Sequence, residues 1–134
     1  EMASARVARA GSDVTLVAYG PTVRLALQAA EVAAGDDVDI EVVDLRSISP
    51  LDSDTVVRSA KRTGRVVVVH EAPTTFGSGA ELSARVTEQA FFHLHAPVLR
   101  VGGFSTPSPG ATFEHHYLPD LDRVLDAVDR VMAH

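Results

Sequence analysis

The pair His70-Glu71 is the strongest candidate for acid–base chemistry in this sequence of 134 residues. It follows the run Val66 to Val69, which predicts a buried strand, and ligands of open parallel sheets bind beyond the carboxyl ends of strands. An imidazole titrates near neutral pH, and a carboxylate can orient it or share its proton. Adjacent side chains at a strand end usually point apart, however. A polar strand terminus that hydrogen-bonds a neighbouring loop is therefore the simpler interpretation.

Metal binding and anion binding are the other chemistries that the residue types suggest. Glu114, His115 and His116 carry ligand atoms, but adjacent histidines rarely chelate one ion and no further ligand lies at the spacing of a zinc site. The Gly-Ser-Gly stretch at 77–79 precedes a predicted helix and could bind a small anion through backbone N–H groups. Neither the dinucleotide-binding fingerprint nor the phosphate-binding loop motif is present. The sequence therefore assigns no catalytic, cofactor-binding or metal-ligating residue.

The composition excludes several classes of function. The chain has no cysteine, which removes disulfides, thiolate metal sites and a cysteine nucleophile, and which fits a cytoplasmic location. Its 18 acidic and 12 basic residues give a net charge of −6, so we expect binding neither to nucleic acid nor to a membrane. No apolar run approaches the roughly 18 residues of a membrane span. Apolar residues make up 46% of the chain, enough for the core of one domain.

Four short apolar runs, each followed by an amphipathic stretch, organise the sequence. The runs cover 14–19, 38–43, 65–70 and 97–101. Helix starts are predicted at Pro21, at Asp52 and Asp120 as capping residues, and at Ser78, which with Glu81 has the spacing of a capping box. Strands that alternate with helices predict a mostly parallel sheet between two helical layers.

Four segments carry features beyond this alternation of strands and helices. Residues 1–13 predict either a linker from an upstream domain or a short edge strand, and residues 14–134 form the domain proper. Asp39 and Glu41 alternate with apolar residues, so the second run predicts a half-exposed strand near an edge. The stretch 102–118 predicts a long structureless loop, which is typically functional or packed on another domain. Phe91-Phe92, at the end of the third helix, predicts a core or subunit contact.

Several motifs, taken in order, resemble a known family. The most specific is Asp-Leu-Arg-Ser-Ile-Ser-Pro-Leu-Asp at 44–52. The others lie at 11–20, 63–73, 77–81, 96–98, 106–109 and 117–120. In this order and spacing they resemble the C-terminal domain of the beta subunit of thiamine-diphosphate-dependent 2-oxoacid dehydrogenases, which is the transketolase C-terminal domain family. The His-Glu-Ala-Pro stretch at 70–73 is more similar to the branched-chain 2-oxoacid type than to the pyruvate type.

The resemblance implies a fold and a function. The fold would be a three-layer α/β/α domain with a mostly parallel five-stranded sheet and one antiparallel strand. The family's enzyme oxidatively decarboxylates a 2-oxoacid with thiamine diphosphate and Mg²⁺ and acylates the lipoyl group of an acyltransferase. Other domains hold these cofactors, so this domain alone would be inactive. The implied partners are the alpha subunit, a second beta subunit and the subunit-binding domain of the acyltransferase.

The family's roles translate into two groups of candidate residues. Subunit-interface candidates are His70, Glu71, Phe104, His115, His116 and Tyr117. Candidates for docking the acyltransferase are Asp122, Asp126 and Asp129, which share one face of the last predicted helix, although a solvated face explains them equally well. Two other functions stay open at this point: a self-contained flavodoxin-like module that binds a small anion at 77–79, and the C-terminal domain of another thiamine enzyme such as transketolase.

Overall fold

Five strands and five helices follow one another in a computed structural model that describes residues 3–134. The strands are β1 Arg6–Arg9, β2 Val14–Ala18, β3 Ile40–Asp44, β4 Val66–Pro73 and β5 Leu99–Gly103. The helices are α1 Thr22–Ala34, α2 Ser53–Thr63, α3 Ser78–Ala90, α4 Glu114–Tyr117 and α5 Leu121–Met132, with short 3-10 turns at Phe91–His93 and Ala111–Phe113. Among the described residues, no helix combines the length and apolar character needed to cross a membrane.

The strands form one sheet in the order β1-β3-β2-β4-β5. Strands β3, β2, β4 and β5 are parallel, and β1 pairs antiparallel with β3 at one edge. Helices α1 and α5 pack on one face, and α2 and α3 on the other. The predicted three-layer fold with a single antiparallel strand is confirmed. Of the two alternatives for the N-terminal stretch, the structure contains the edge strand.

The valine run of β4 shows why this strand lacks alternation. Val67 and Val69 belong to the core between the sheet and α1 and α5, whereas Val66 and Val68 belong to the core on the α2 and α3 side. All four side chains are buried because helices cover both faces of the sheet, as they do in parallel sheets generally. Burying a side chain of this size contributes about 1.5–3 kcal/mol. Strand β4 therefore contributes buried side chains to both hydrophobic cores.

Strand β3 differs from its prediction as a half-exposed strand. Glu41 is only 1% exposed, because β1 and β2 flank β3 and α2 covers it. The hydroxyl of Thr15 donates to Glu41 Oε1 at 3.0 Å and lies 2.9 Å from that of Thr63. Arg62 pairs with the other carboxylate oxygen. The alternating acidic residue thus marks a buried polar cluster and not a solvated face.

The predicted helix caps at Asp52 and Asp120 are confirmed. The N–H of Thr55 donates to Asp52 Oδ1 at 3.1 Å, and that of Arg123 donates to Asp120 Oδ1 at 2.8 Å. Asp52 Oδ2 also accepts from the N–H of Ala5 at 2.9 Å, which anchors the segment before β1. Burial alone would raise the pKa of Asp52, but the hydrogen bonds from Thr55 and Ala5 outweigh it and lower the pKa.

Two predictions about local structure were wrong. Ser78 does not cap α3, because its hydroxyl bonds that of Tyr19 at 2.6 Å, and Glu81 pairs with Arg85. The stretch 102–118 is not structureless, since it contains a 3-10 turn and α4. These features depend on contacts between segments distant in the sequence, here the packing of Tyr117 beneath Gly103.

Candidate functional site

The carboxyl ends of β2 and β4 lie side by side where the chain changes direction across the sheet. After β2 the chain continues through α1 to β3 on one side, and after β4 it continues through α3 to β5 on the other. Ligands of open α/β sheets bind at such a switch point. The side chains of Tyr19, His70 and Ser78 meet here, with the rings of Tyr19 and His70 6.2 Å apart between centroids.

His70 is fully buried at this point. Its Nδ1 lies 2.8 Å from the carbonyl oxygen of Ala72, so Nδ1 must donate the proton of that hydrogen bond. Nε2 is buried and has no hydrogen-bond partner among residues 3–134. Burial lowers the pKa of His70, and the nearby Arg100 guanidinium acts in the same direction, against the hydrogen bond to Ala72.

Three glycines make room for the His70 ring. A Cβ on Gly79 would lie 2.5 Å from His70 Nε2, and one on Gly102 would lie 2.7 Å from Cε1. A Cβ on Gly77 would lie 2.1 Å from the carbonyl oxygen of Pro73. The glycines at 77–79 are therefore explained by the close approach of the imidazole and of this carbonyl. The ring fills the space that an anion would need, so the structure gives no support to the anion-binding alternative.

The side chains of His70 and Glu71 point apart, as the simpler interpretation predicts. Glu71 is exposed, and the His70 ring faces the start of α3. No acid–base pair therefore forms between these two residues. His115 and His116 are both exposed on α4, with ring centroids 3.9 Å apart. Within the described part of the chain, no group of three His, Cys, Asp or Glu residues is arranged to hold a metal ion.

The six subunit-interface candidates divide into exposed residues and buried supports. The exposed ones are Glu71, near the end of β4, and Phe104, His115 and His116, which lie beyond the carboxyl end of β5. Tyr117 is 9% exposed and packs against Gly103, and His70 is 0% exposed. Any contribution of these two side chains to an interface comes through the loops that they support.

Every one of the five phenylalanines is at least half exposed. Phe76, Phe104 and Phe113 lie on the loops beyond the carboxyl ends of β4 and β5. Phe91 and Phe92 lie at the opposite end of the sheet, where their rings form a T-shaped pair. Three large exposed apolar side chains at the carboxyl end make this end a candidate interaction surface. We did not single out Phe76 or Phe113 from the sequence, although neither occupies a predicted core position.

Two of the three docking candidates share a groove. Asp122 and Asp126 line an open cavity of about 590 Å³ between β5 and α5, whereas Asp129 is exposed but does not line it. The same groove is lined by the arginines Arg100, Arg123 and Arg130. Its charge is therefore mixed, and a purely acidic docking face is not what the structure contains.

Known proteins resemble this chain over nearly its whole length. A family model described as "Transketolase, C-terminal domain" matches residues 3–124. The pyruvate dehydrogenase E1 component subunit beta of Leifsonia xyli is 51% identical over 98% of this chain and 39% of its own. The 3-methyl-2-oxobutanoate dehydrogenase subunit beta of Mycobacterium tuberculosis is 52% identical over 96% of this chain and 37% of its own.

Similarity extends to a mitochondrial protein and to a solved structure. The 2-oxoisovalerate dehydrogenase subunit beta of Dictyostelium discoideum is 42% identical over 99% of this chain and 36% of its own. A split-gene transketolase, solved as an inactive beta4 tetramer, superposes with a TM-score of 0.86 and 29% identity, over 99% of this chain and 42% of its own. The chain thus spans less than two fifths of the curated relatives named here. The match over residues 3–124 shows that it belongs to the transketolase C-terminal domain family.

Proposed function

We propose that this domain is the C-terminal part of the beta subunit of a thiamine-diphosphate-dependent 2-oxoacid dehydrogenase, and that it serves subunit assembly. The observation that carries the assembly role is the set of exposed phenylalanines Phe76, Phe104 and Phe113 beyond the carboxyl end of the sheet. The relatives supply the enzyme class, since their names are those of pyruvate and branched-chain dehydrogenase beta subunits. The partners in this proposal are an alpha subunit and a second beta subunit, in a heterotetramer.

The residues of this domain do not fit the cofactors of such an enzyme. Thiamine diphosphate and Mg²⁺ supply the decarboxylation of the 2-oxoacid when they are bound. The glycine-rich start of α3 is filled by the His70 ring, and residues 3–134 provide no cluster of metal-ligating side chains. In our proposal other domains of the enzyme bind them, and this domain is inactive alone.

The assembly role is tested in the full-length beta subunit produced together with its alpha partner. Phe113→Ser should weaken the assembly, because it removes an apolar side chain from the proposed interface. Phe92→Ser is the control, since Phe92 is also exposed, at 95% against 62% for Phe113, but lies at the opposite end of the sheet. Light scattering after size-exclusion chromatography reports the mass of each complex. If the Phe113→Ser variant assembles normally and the Phe92→Ser variant does not, the interface lies at the amino end of the sheet instead.

We further propose that the groove between β5 and α5 docks the subunit-binding domain of the lipoyl acyltransferase. The support is that Asp122 and Asp126 are exposed side by side in the groove, where they could pair with a basic module. Calorimetric titration of the assembled enzyme at low and moderate salt should show binding that weakens with salt. Replacing Asp122 and Asp126 by Asn should weaken it further, whereas Asp129→Asn, outside the groove, should not. If none of the three Asn replacements changes the affinity, this proposal is rejected.

The substrate and the compartment are part of the same proposal. We favour a branched-chain 2-oxoacid, and hence branched-chain amino acid catabolism, on the basis of the stretch 70–73. Assays of the assembled enzyme with 3-methyl-2-oxobutanoate and with pyruvate decide this, and a higher kcat/KM for pyruvate would reject it. The absence of cysteine supports a reducing, cytoplasmic location. Fractionation of cells that express a tagged subunit tests that location.

A further inference from the structure

We propose that Arg123 is a positioning residue that holds Phe104 in place for the partner subunit. The inference rests on the proposed function, in which Phe104 belongs to the assembly interface. The Arg123 guanidinium lies over one face of the Phe104 ring, with Cζ 4.7 Å from the ring centroid. Half of Phe104, 51%, remains exposed. One side of the ring is thus supported by the domain, and the other is free to enter an apolar pocket of the partner.

Arg123 is itself fixed to two elements of the fold. Its backbone N–H donates to the carboxylate of Asp120 at the start of α5, at 2.8 Å. Its Nη2 donates to the carbonyl oxygen of Gly102 in β5, at 2.7 Å. Phe104 follows β5 directly, so the ring and the guanidinium that covers it are both attached to the edge of the sheet. The position of the ring is therefore set by rigid elements.

The hydrogen bond to Gly102 does not by itself explain an arginine at this position. Arg123 Nη1 is buried and has no hydrogen-bond partner among the described residues, and an unpaired buried donor destabilises a fold. A lysine ammonium could donate to the Gly102 carbonyl without adding a second guanidinium nitrogen. What arginine adds is a planar cation that stacks on an aromatic face, which an ammonium does less well. The contact with Phe104 is the one that favours arginine over lysine.

Support of this kind favours binding, because a side chain that is already held loses less conformational freedom in a complex. Phe76 illustrates the opposite case: it is 99% exposed, so the domain gives its ring almost no support. Among the three carboxyl-end phenylalanines, Phe104 is the least exposed, and Arg123 covers one face of its ring. The partner surface that fits it is an apolar pocket on the alpha subunit.

The test compares Arg123→Lys, Phe104→Ala and the double variant in the full-length beta subunit assembled with its alpha partner. Dissociation constants come from sedimentation over a range of concentrations, and thermal midpoints of the beta subunit serve as the control for folding. Arg123→Lys should weaken assembly about fivefold, the range of a cation–π contact, without lowering the thermal midpoint. Phe104→Ala should weaken assembly at least as much. The double variant should be no weaker than Phe104→Ala, because Arg123 acts through that ring.

Each alternative outcome is informative. If Arg123→Lys weakens assembly as strongly without Phe104 as with it, or leaves assembly unchanged, the positioning role is overturned. A lowered thermal midpoint would give Arg123 a structural role instead. If Phe104→Ala has no effect while Phe113→Ser does, this inference fails and the proposed interface stands. If neither change affects assembly, the proposed function fails with it.

Discussion

Two fully buried ionisable side chains, Glu41 and His70, lie at opposite ends of the sheet and are held in different ways. Glu41, at the amino end, has a partner on each carboxylate oxygen: the Thr15 hydroxyl on one and Arg62 on the other. His70, at the carboxyl end, has one partnered nitrogen and is otherwise held by contact with glycine backbone. Hydrogen bonds hold the buried side chain at the amino end, whereas close packing against glycine backbone holds the one at the carboxyl end.

This difference teaches where the domain tolerates change. A hydrogen-bonded cluster loses stability when a partner is removed, and a close-packed one loses stability when an atom is added. The packed end is also the end whose loops carry three exposed phenylalanines. The His70 contacts therefore hold the β4–α3 and β5–α4 loops in the positions from which those rings project. Three predictions probe this comparison, from the largest expected effect to the smallest.

The largest effect is expected for Gly102→Ala. The new Cβ would lie 2.7 Å from His70 Cε1 and 2.8 Å from the carbonyl oxygen of Ala72, so neither neighbour can move aside without disturbing β4. We expect a loss of about 3 kcal/mol in the free energy of unfolding, measured by urea titration. Gly110→Ala is the control, since a Cβ there meets nothing within 4 Å. Equal stability of the two variants would mean that His70 is not tightly enclosed.

A smaller loss is expected for Arg62→Ala at the other end. It leaves one oxygen of buried Glu41 without its partner, although Arg62 is half exposed and water can take part of its place. We expect a loss of about 1–2 kcal/mol in the free energy of unfolding. Lys61→Ala, one residue earlier in α2 and also exposed, should change it by less than about 0.5 kcal/mol. If Arg62→Ala leaves the free energy of unfolding unchanged, the hydrogen bond from the Thr15 hydroxyl is enough to stabilise the buried Glu41 carboxylate.

The smallest effect is a pH dependence that belongs to His70. Because burial lowers its pKa below the 6.5 of a free imidazole, the unfolded chain takes up this proton first as the pH falls. Stability is therefore fully present above about pH 6.5 and decreases below it, by at most about 1.4 kcal/mol per pH unit for one proton. Urea titrations between pH 7.5 and 5.5 should give a shallower dependence for His70→Asn than for the natural chain. If the stability of both proteins depends on pH in the same way, His70 is not the source of the pH dependence.

The elements of this fold follow from local patterns, and so the sequence predicts them well. The valines of β4 predict a strand covered on both faces, and the aspartates at 52 and 120 predict helix starts because a cap bonds a backbone N–H three residues ahead. Glu41 was predicted wrongly because its hydrogen-bond partner Thr15 lies 26 residues away along the chain, and Thr63, which bonds Thr15, lies 48 residues from Thr15. No local pattern reports such a pairing.

The sequence predicts where the candidate site lies, but not which residues enclose it. A strand end places His70 near the switch point, and that inference needs only the order of strands and helices. The enclosure by Gly79 and Gly102 needs the approach of α3 and β5 to β4, which is a property of the assembled sheet. The stacking of Arg123 on Phe104 likewise joins α5 to the end of β5. Such contacts depend on the packing of whole elements.

Strand β1 has a consequence for the solubility of the domain. It covers the outer edge of β3, whose five residues Ile40–Asp44 would otherwise present a row of unpaired backbone groups on an apolar strand. Such an edge is a template for pairing with another molecule and for aggregation. The charged Arg6 and Arg9 now occupy the edge instead and pair with the aspartates at 44 and 39. Loss of this short strand would expose the edge of β3 and make the domain prone to aggregation.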